Sequence, residues 1–388
     1  MHKNIKLLAW FNFFLDFRFY APVAIIYFAK ISGSYALGMS VFSATTLSSA
    51  LLEIPTGIFS DRIGRKNTIV LGATATLISV ILYAIGGNYR TLIIGALFEG
   101  LARAFYSGNN DALLHDSLTE NSQSEDYSEY KGKTSSTAQV ALALTAISGS
   151  IIASRSFSLV MWLSIIPALM GLFISFKIAE PKISKTLSGN IYAHLGESFR
   201  NFLKNKRLRM LSLSTSLGYA QGEAGWLFRS AFNATLWPVW AIGFAQALSN
   251  ISSASSFYFG GKLVKKFGAF KILFTGKVYA LLTNVIAVLM SNVLSPLLLA
   301  SNSVFFGAGN VSKSTLMQKE YSPGERATMD SLNSFFGNVA FAIISLGLGF
   351  VADLLNPAKA LLYLQTIAFI TLLILWNLYI KEYKGKSL

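Results

Sequence analysis

The chain of 388 residues contains no cysteine. That excludes disulfides, thiolate metal sites and thiol catalysis. Its three histidines, His2, His115 and His194, sit near the ends of apolar runs or between them, which argues against a histidine metal centre. Charge is scarce. Asp, Glu, Lys and Arg make up 13% of the chain, against about 25% in an ordinary soluble domain. Acids are scarcest, 18 against 33 basic residues. The sequence has no GxxxxGK[ST] phosphate loop, so direct ATP drive is not expected. It shows no nucleophile–base pair, metal-ligand cluster or cofactor motif either, so neither an enzyme nor a cofactor is expected.

What the chain has is apolar length. Hydrophobic residues make up 53% of it, more than one soluble protein can bury. Windows of about 20 residues, enough to cross a bilayer as helix, recur throughout. Twelve are found, near 5–29, 36–59, 67–87, 91–113, 134–154, 157–177, 209–229, 236–259, 271–291, 293–315, 326–351 and 358–380. The expected fold is an all-α membrane protein of twelve spans. The first window holds Asp16 and Arg18 and has no small-residue cleavage site after it, so it reads as a retained span.

The formal net charge of +15 is distributed as a topology signal. Lys3, Lys6, Arg62, Arg65, Lys66, Lys131, Lys133, Lys262, Lys265, Lys266, Lys271, Lys319 and Arg326 fall on one side of the alternating loops, with the middle loop and the tail lysines. Lys30, Arg90, Arg155, Arg229 and Lys359 fall on the other. The positive-inside rule then places both termini and the middle loop in the cytoplasm, and the expected location is a bacterial cytoplasmic (inner) membrane. Nucleic acid is not the expected partner; membrane lipids are.

The longest charged connection divides six windows from six. The expected organisation is a bundle over 1–178, a cytoplasmic linker over 179–207 and a second bundle over 208–388. "HLGESFRNFLKN" in the linker has the pattern of an amphipathic helix on the membrane face. The halves echo each other: "GIFSDRIGRKNTIVLG" aligns with "GKLVKKFGAFKILFTG". At one constant offset Gly57 maps to Gly261, Gly64 to Gly268, Gly72 to Gly276 and Asp116 to Glu320. Repeated six-helix halves with a midplane site between them are a recurrent transporter design.

Gly57-x-x-x-Asp61-Arg62-x-Gly64-Arg65-Lys66, between the second and third spans, resembles the signature motif of the major facilitator superfamily. The second copy carries Lys265 where the acid would be. Physically, Gly57 permits close helix approach and Gly64 a tight turn, while Arg62, Arg65 and Lys66 hold the loop in the cytoplasm. The resemblance implies two pseudo-symmetric bundles and a cytoplasmic latch. In the latch Asp61 meets the start of span eleven, "YSPGERATM", and a motif arginine meets the acid after span four, here Asp116. The chain departs from the superfamily's patterns at two places. Ala96 stands where an arginine is usual in span four, and the proline–glycine motif of span five is missing from "ALTAISGSIIAS".

Charge inside a bilayer marks functional candidates. Asp16 and Arg18 lie near the middle of span one. Glu99 and Arg103 share a face of span four at i, i+4. At 1.5 Å per residue Asp16 is about 16 Å from one end of its span and Arg103 about 18 Å from the end of its own. The expected pairing is Asp16 with Arg103, with Glu99 as a second acid and Glu223 as the candidate in the second half. Glu53 is expected to serve gating or helix packing, and Lys277 and Asp111 to form structural pairs. The function expected is monomeric, proton-coupled export of a small organic solute by alternating access. The alternatives are ion-coupled uptake of an anionic metabolite and, from other classes, a lipid scramblase or a membrane-embedded enzyme.

Overall fold

The computed structural model describes residues 3–120, 127–181, 199–200, 202–321 and 326–384. Among the described residues sixteen α-helices of seven residues or more make up twelve spans, because some spans are broken. Span one is α1 (Lys3–Asp16) and α2 (Ala24–Ser32), with a 3₁₀ turn at Ala21–Val23 between them. Spans two and three are α3 (Tyr35–Ile63) and α4 (Arg65–Ile85). Span four is α5 (Tyr89–Tyr106) and continues as α6 (Asn109–Glu120); span five is α7 (Tyr127–Ala153); span six is α8 (Phe157–Leu163) and α9 (Ile165–Lys177). The second half follows as α10 (Lys206–Asn233), α11 (Val239–Phe267) and α12 (Ala269–Met290). Span ten is α13 (Ser295–Ser301), a 3₁₀ turn (Asn302–Phe305) and α14 (Phe306–Glu320); α15 (Arg326–Leu354) and α16 (Pro357–Lys384) complete the fold. Most of the linker, including half of the expected amphipathic helix, lies outside the described residues; 199–200 and 202–204 of that stretch are helical.

Local signals set the helix ends. Ser34, Asn88, Ser156 and Asn205 each accept a backbone N–H three residues on, satisfying an amide that the first turn leaves open. Gly33, in the left-handed region at φ 91°, ends α2. Long apolar side chains point outward: Ile343, Leu289 and Phe173 are each more than half exposed. Apolar surface on the outside with polar groups inside suits a lipid surround, where every backbone group must be satisfied within its own helix.

The helices group into two compact units. The first contains Met1–Leu187 with Trp237–Ala247, the second Ser188–Leu236 with Leu248–Leu388. In the first, small residues bring backbones together. A side chain at Gly100 of α5 would collide with the Thr45 carbonyl and Ser48 of α3. Ser48 Oγ donates to the Leu97 carbonyl at 3.1 Å and Thr56 Oγ1 to the Ala104 carbonyl at 3.0 Å, clamping α3 to α5. Gly149 of α7 does the same for the unwound part of span one, since a side chain there would strike the Phe19 carbonyl. In the second unit Asn333 of α15 accepts from Ser212 at 2.7 Å and Ser216 at 3.2 Å, both on α10.

Candidate functional site

The break in span one creates the central feature of the first unit. The helix α1 stops at Asp16, so its last carbonyls lack helical partners and form the negative pole of the helix. Arg18 answers this. Its Nε donates to the Leu15 carbonyl at 2.9 Å, while its backbone N–H donates to the Asp16 carbonyl at 2.9 Å. Its Nη1 reaches across to α5 and donates to Glu99 Oε1 at 2.7 Å.

Glu99 is the hub. It is 7% exposed. Besides Arg18 its Oε1 accepts Arg103 Nη2 at 2.8 Å, one turn along α5. Its Oε2 accepts the Tyr83 hydroxyl of α4 at 2.9 Å. Three donors, with no acceptor facing it among the described residues, define a carboxylate in its charged form. Tyr83 is fully buried, with its ring 5.0 Å from Phe28 and 5.8 Å from Tyr20. Asp16 lies within reach of the charges of both arginines. Two acids and two arginines thus balance around the break. Glu99 is about 15 Å along α5, half the thickness of a 30 Å bilayer core.

The pairing differs from the expected one. Among the described residues Asp16 forms no ion pair; both arginines hold Glu99. The reason is geometric. Asp16 is the last residue of its helix, and the chain turns at 17–20, which carries Arg18 toward α5. Glu99 and Arg103, one turn apart, pair directly.

A second constellation sits where α3 meets α4. Gly64 has φ 90° and Gly268, its repeat partner, φ 87°, the left-handed conformation that glycine adopts without strain. Arg65 Nε lies 2.7 Å from Asp116 Oδ2 on α6, the pair expected from the motif. In the repeat, Glu320 pairs with Arg207 at 3.1 Å rather than with a motif residue. Glu180 caps α4: its two oxygens accept the backbone N–H groups of Arg65 at 2.9 Å and Lys66 at 2.6 Å. Asn4 of α1 holds the preceding residue by accepting from Ala179 N at 2.9 Å and donating to its carbonyl at 2.9 Å. Arg62 is exposed. Among the described residues nothing comes within 4 Å of a Cβ placed on Gly57. The side chain of Asp61, and residues 322–325 with the side chain of Arg326, lie outside the described residues, and with them the span-eleven contact. Glu53 accepts the Ser107 hydroxyl at 2.7 Å, across to the junction of α5 and α6. Asp111 pairs with Lys131. Glu223 is half-buried on α10.

The model of the Major Facilitator Superfamily matches residues 7–345. The chain belongs to that superfamily. This facilitator has the multi-pass membrane fold of that superfamily, with twelve spans. Its fold is that of the nucleoside transporter NupG: a point variant of that protein superposes with TM-score 0.83 over 97% of this chain and 100% of the other, at 15% identity. A bacterial homologue of the human lysosomal transporter Spinster superposes with TM-score 0.72 over 96% and 94%, also at 15%. In sequence the facilitator is 24% identical over 194 residues to a Na(+), Li(+), K(+)/H(+) antiporter of Planococcus maritimus. That alignment covers 48% of this chain and 45% of the antiporter, so the chain spans under half the length of this curated relative.

Sequence reasoning found Arg18, Glu99 and Arg103 by charge, but missed Tyr83, Glu180 and Asn4. Tyr83 sits in an uninterrupted apolar window and carries no signal of its own. Glu180 follows the sixth window in "KIAEP" and reads as linker. It caps a helix 115 residues earlier in the chain, so no local pattern announces it.

Proposed function

We propose that this facilitator is a proton-coupled secondary transporter that exports a small organic solute across the cytoplasmic membrane by alternating access. Both termini are assigned to the cytoplasm, on the charge distribution of the loops. Transport rather than catalysis is assigned. The observation that carries the reading is Glu99, one buried carboxylate shared by Arg18, Arg103 and Tyr83 beside the break in span one. Broken helices at midplane depth are where such transporters build their sites. While both arginines hold Glu99 it stays charged. Releasing one leaves a buried carboxylate undercompensated, and it takes a proton. A cycle that makes and breaks one contact therefore binds and releases a proton. The partial likeness to an antiporter that exchanges alkali cations for protons supports proton coupling.

At the other constellation, the Arg65–Asp116 pair and the Glu180 cap hold the loop between spans two and three as the first-half part of a conformational latch, with Asp61 as the residue that reaches span eleven. The test of function is solute flux in proteoliposomes, with and without an imposed proton gradient, across a panel of metabolites and amphipathic drugs. Gradient-driven movement of at least one solute is expected. No gradient-dependent flux for any of them would remove the proton from the account.

A further inference from the structure

The second unit holds a cation for which the described residues supply no counter-charge. Lys277 lies about two turns into α12, and its side chain crosses to α10. A methyl group at Gly218 would collide with Lys277 Nζ. Gly218 lies more than three turns into α10 by the same rise. Leu208 and Leu211 of α10, Leu273 of α12 and Leu316 and Met317 of α14 share one cluster, so the starts of α10 and α12 and the end of α14 lie at the same end of the unit. The ammonium of Lys277 is therefore turned away from that end and into the depth of the unit. Long cationic side chains that merely tolerate the membrane do the reverse and snorkel toward the headgroups.

No hydrogen bond or ion pair of Lys277 occurs among the described residues. Its charged neighbour is another cation, Lys313 of α14, about two turns before the end of that helix. Lys313 in turn feels Asp330 of α15, whose carboxylate accepts Gln318 Nε2 at 2.8 Å. A lone charge inside the bilayer is costly even on insertion scales. The first unit pays no such cost, since its arginines meet acids. A lysine whose ammonium is seated against Gly218, with a second lysine near it and no acid on it, makes a place suited to an anion.

We propose that Lys277 anchors a carboxylate or phosphate group of the transported solute, with Lys313 adding field behind it and Gly218 giving the Lys277 ammonium its seat. This rests on the transporter reading above and names its substrate class: a small organic anion. An ammonium offers three donors on a compact charge, enough for one anionic oxygen group. Binding makes the pair nearly neutral, which lowers the cost of carrying a charged solute through the bilayer interior.

The test is the melting temperature of the full chain in neutral detergent, in sodium chloride, sodium succinate and sodium phosphate at matched ionic strength. Wild type should melt higher in succinate or phosphate than in chloride, saturably and by at least about 2–4 °C, the shift that 1 kcal/mol gives a unit of this size. Lys277→Met should melt higher than wild type in chloride, having lost an uncompensated charge, and should not respond to either anion. Gly218→Ala keeps both lysines but takes the seat of the Lys277 ammonium, so it should also lose the response; it carries the test where Lys277→Met does not fold. Equal responses in wild type and both variants would overturn the anchor. So would Lys277-dependent stabilisation by phosphatidylglycerol nanodiscs over phosphatidylcholine nanodiscs without added anion, which would assign the site to a lipid headgroup. Melting reads binding without flux. A wild type that transports but shows no Lys277-dependent response sinks the anchor and leaves the transporter reading standing.

Discussion

At the residue scale the first unit is organised by shared acceptors. Glu99 serves three donors, and Glu180 serves two backbone amides of α4. Removing such a hub strands its partners. Glu99→Ala leaves two arginines without their acid, and breaking a buried pair by removing one partner costs about 3–5 kcal/mol. The arginines are not equivalent. The side chain of Arg18 is 20% exposed and that of Arg103 48%. Arg18 also holds the end of α1. Arg18→Met should therefore lower the melting temperature more than Arg103→Met, and Tyr83→Phe least, since it removes one hydrogen bond to a charged group, about 1.5–3 kcal/mol. Thermal melts of the purified variants check the order. An Arg103→Met variant less stable than Arg18→Met would mean that Arg18 is not the structural member of the pair.

At the element scale the breaks matter more than the helices. The unwound turn at 17–20 fits against α7 because Gly149 has no side chain. Gly149→Val should push span one off α7 and destabilise the first unit by about 1–3 kcal/mol, the range for overpacking, whereas Gly171→Ala should cost little because only the Phe14 Cβ comes near, at 3.9 Å. Glu180→Ala removes a cap from α4 and should cost about 0.5–2 kcal/mol, read as lost protection in hydrogen exchange over the first turn of α4. Much of this was legible in the sequence. Twelve apolar windows located the spans, and the spacing of Gly64 and Gly268 located two turns that both take positive φ. The Arg65–Asp116 pair followed from the motif. Glu99's partnership did not. Charge and spacing placed Asp16, Arg18, Glu99 and Arg103 at similar depth, but the choice among pairings depends on where span one unwinds. Phe17 to Tyr20 carry no glycine or proline, and Pro22 in the turn that follows marks a break without fixing where α1 stops. Contacts such as Gly149 on the Phe19 carbonyl join distant segments, and no local pattern encodes them.

At the scale of the whole molecule, membership of the Major Facilitator Superfamily follows from a match over residues 7–345 and the fold likeness to transporters, while direction and coupling rest on the proposal. Orientation is tested by reporter fusions after Arg90, near Asn190 and after Leu388. The last two should report cytoplasm and the first the outside; an external signal near Asn190 would overturn the six-plus-six arrangement. Asp61→Asn should leave the protein inserted and raise the labelling of single cysteines in the inner vestibule over those in the outer one. Unchanged labelling with normal transport would remove the latch. The central claim is that Glu99 exchanges the coupled proton, and it is tested most directly by comparing wild type with Glu99→Gln in proteoliposomes. Glutamine keeps shape and hydrogen bonding but cannot titrate. The account predicts that an imposed proton gradient drives solute accumulation and a matching change in internal pH for wild type. For Glu99→Gln it predicts neither, with solute exchange at equal concentrations retained. Wild-type accumulation and proton movement by Glu99→Gln would contradict it.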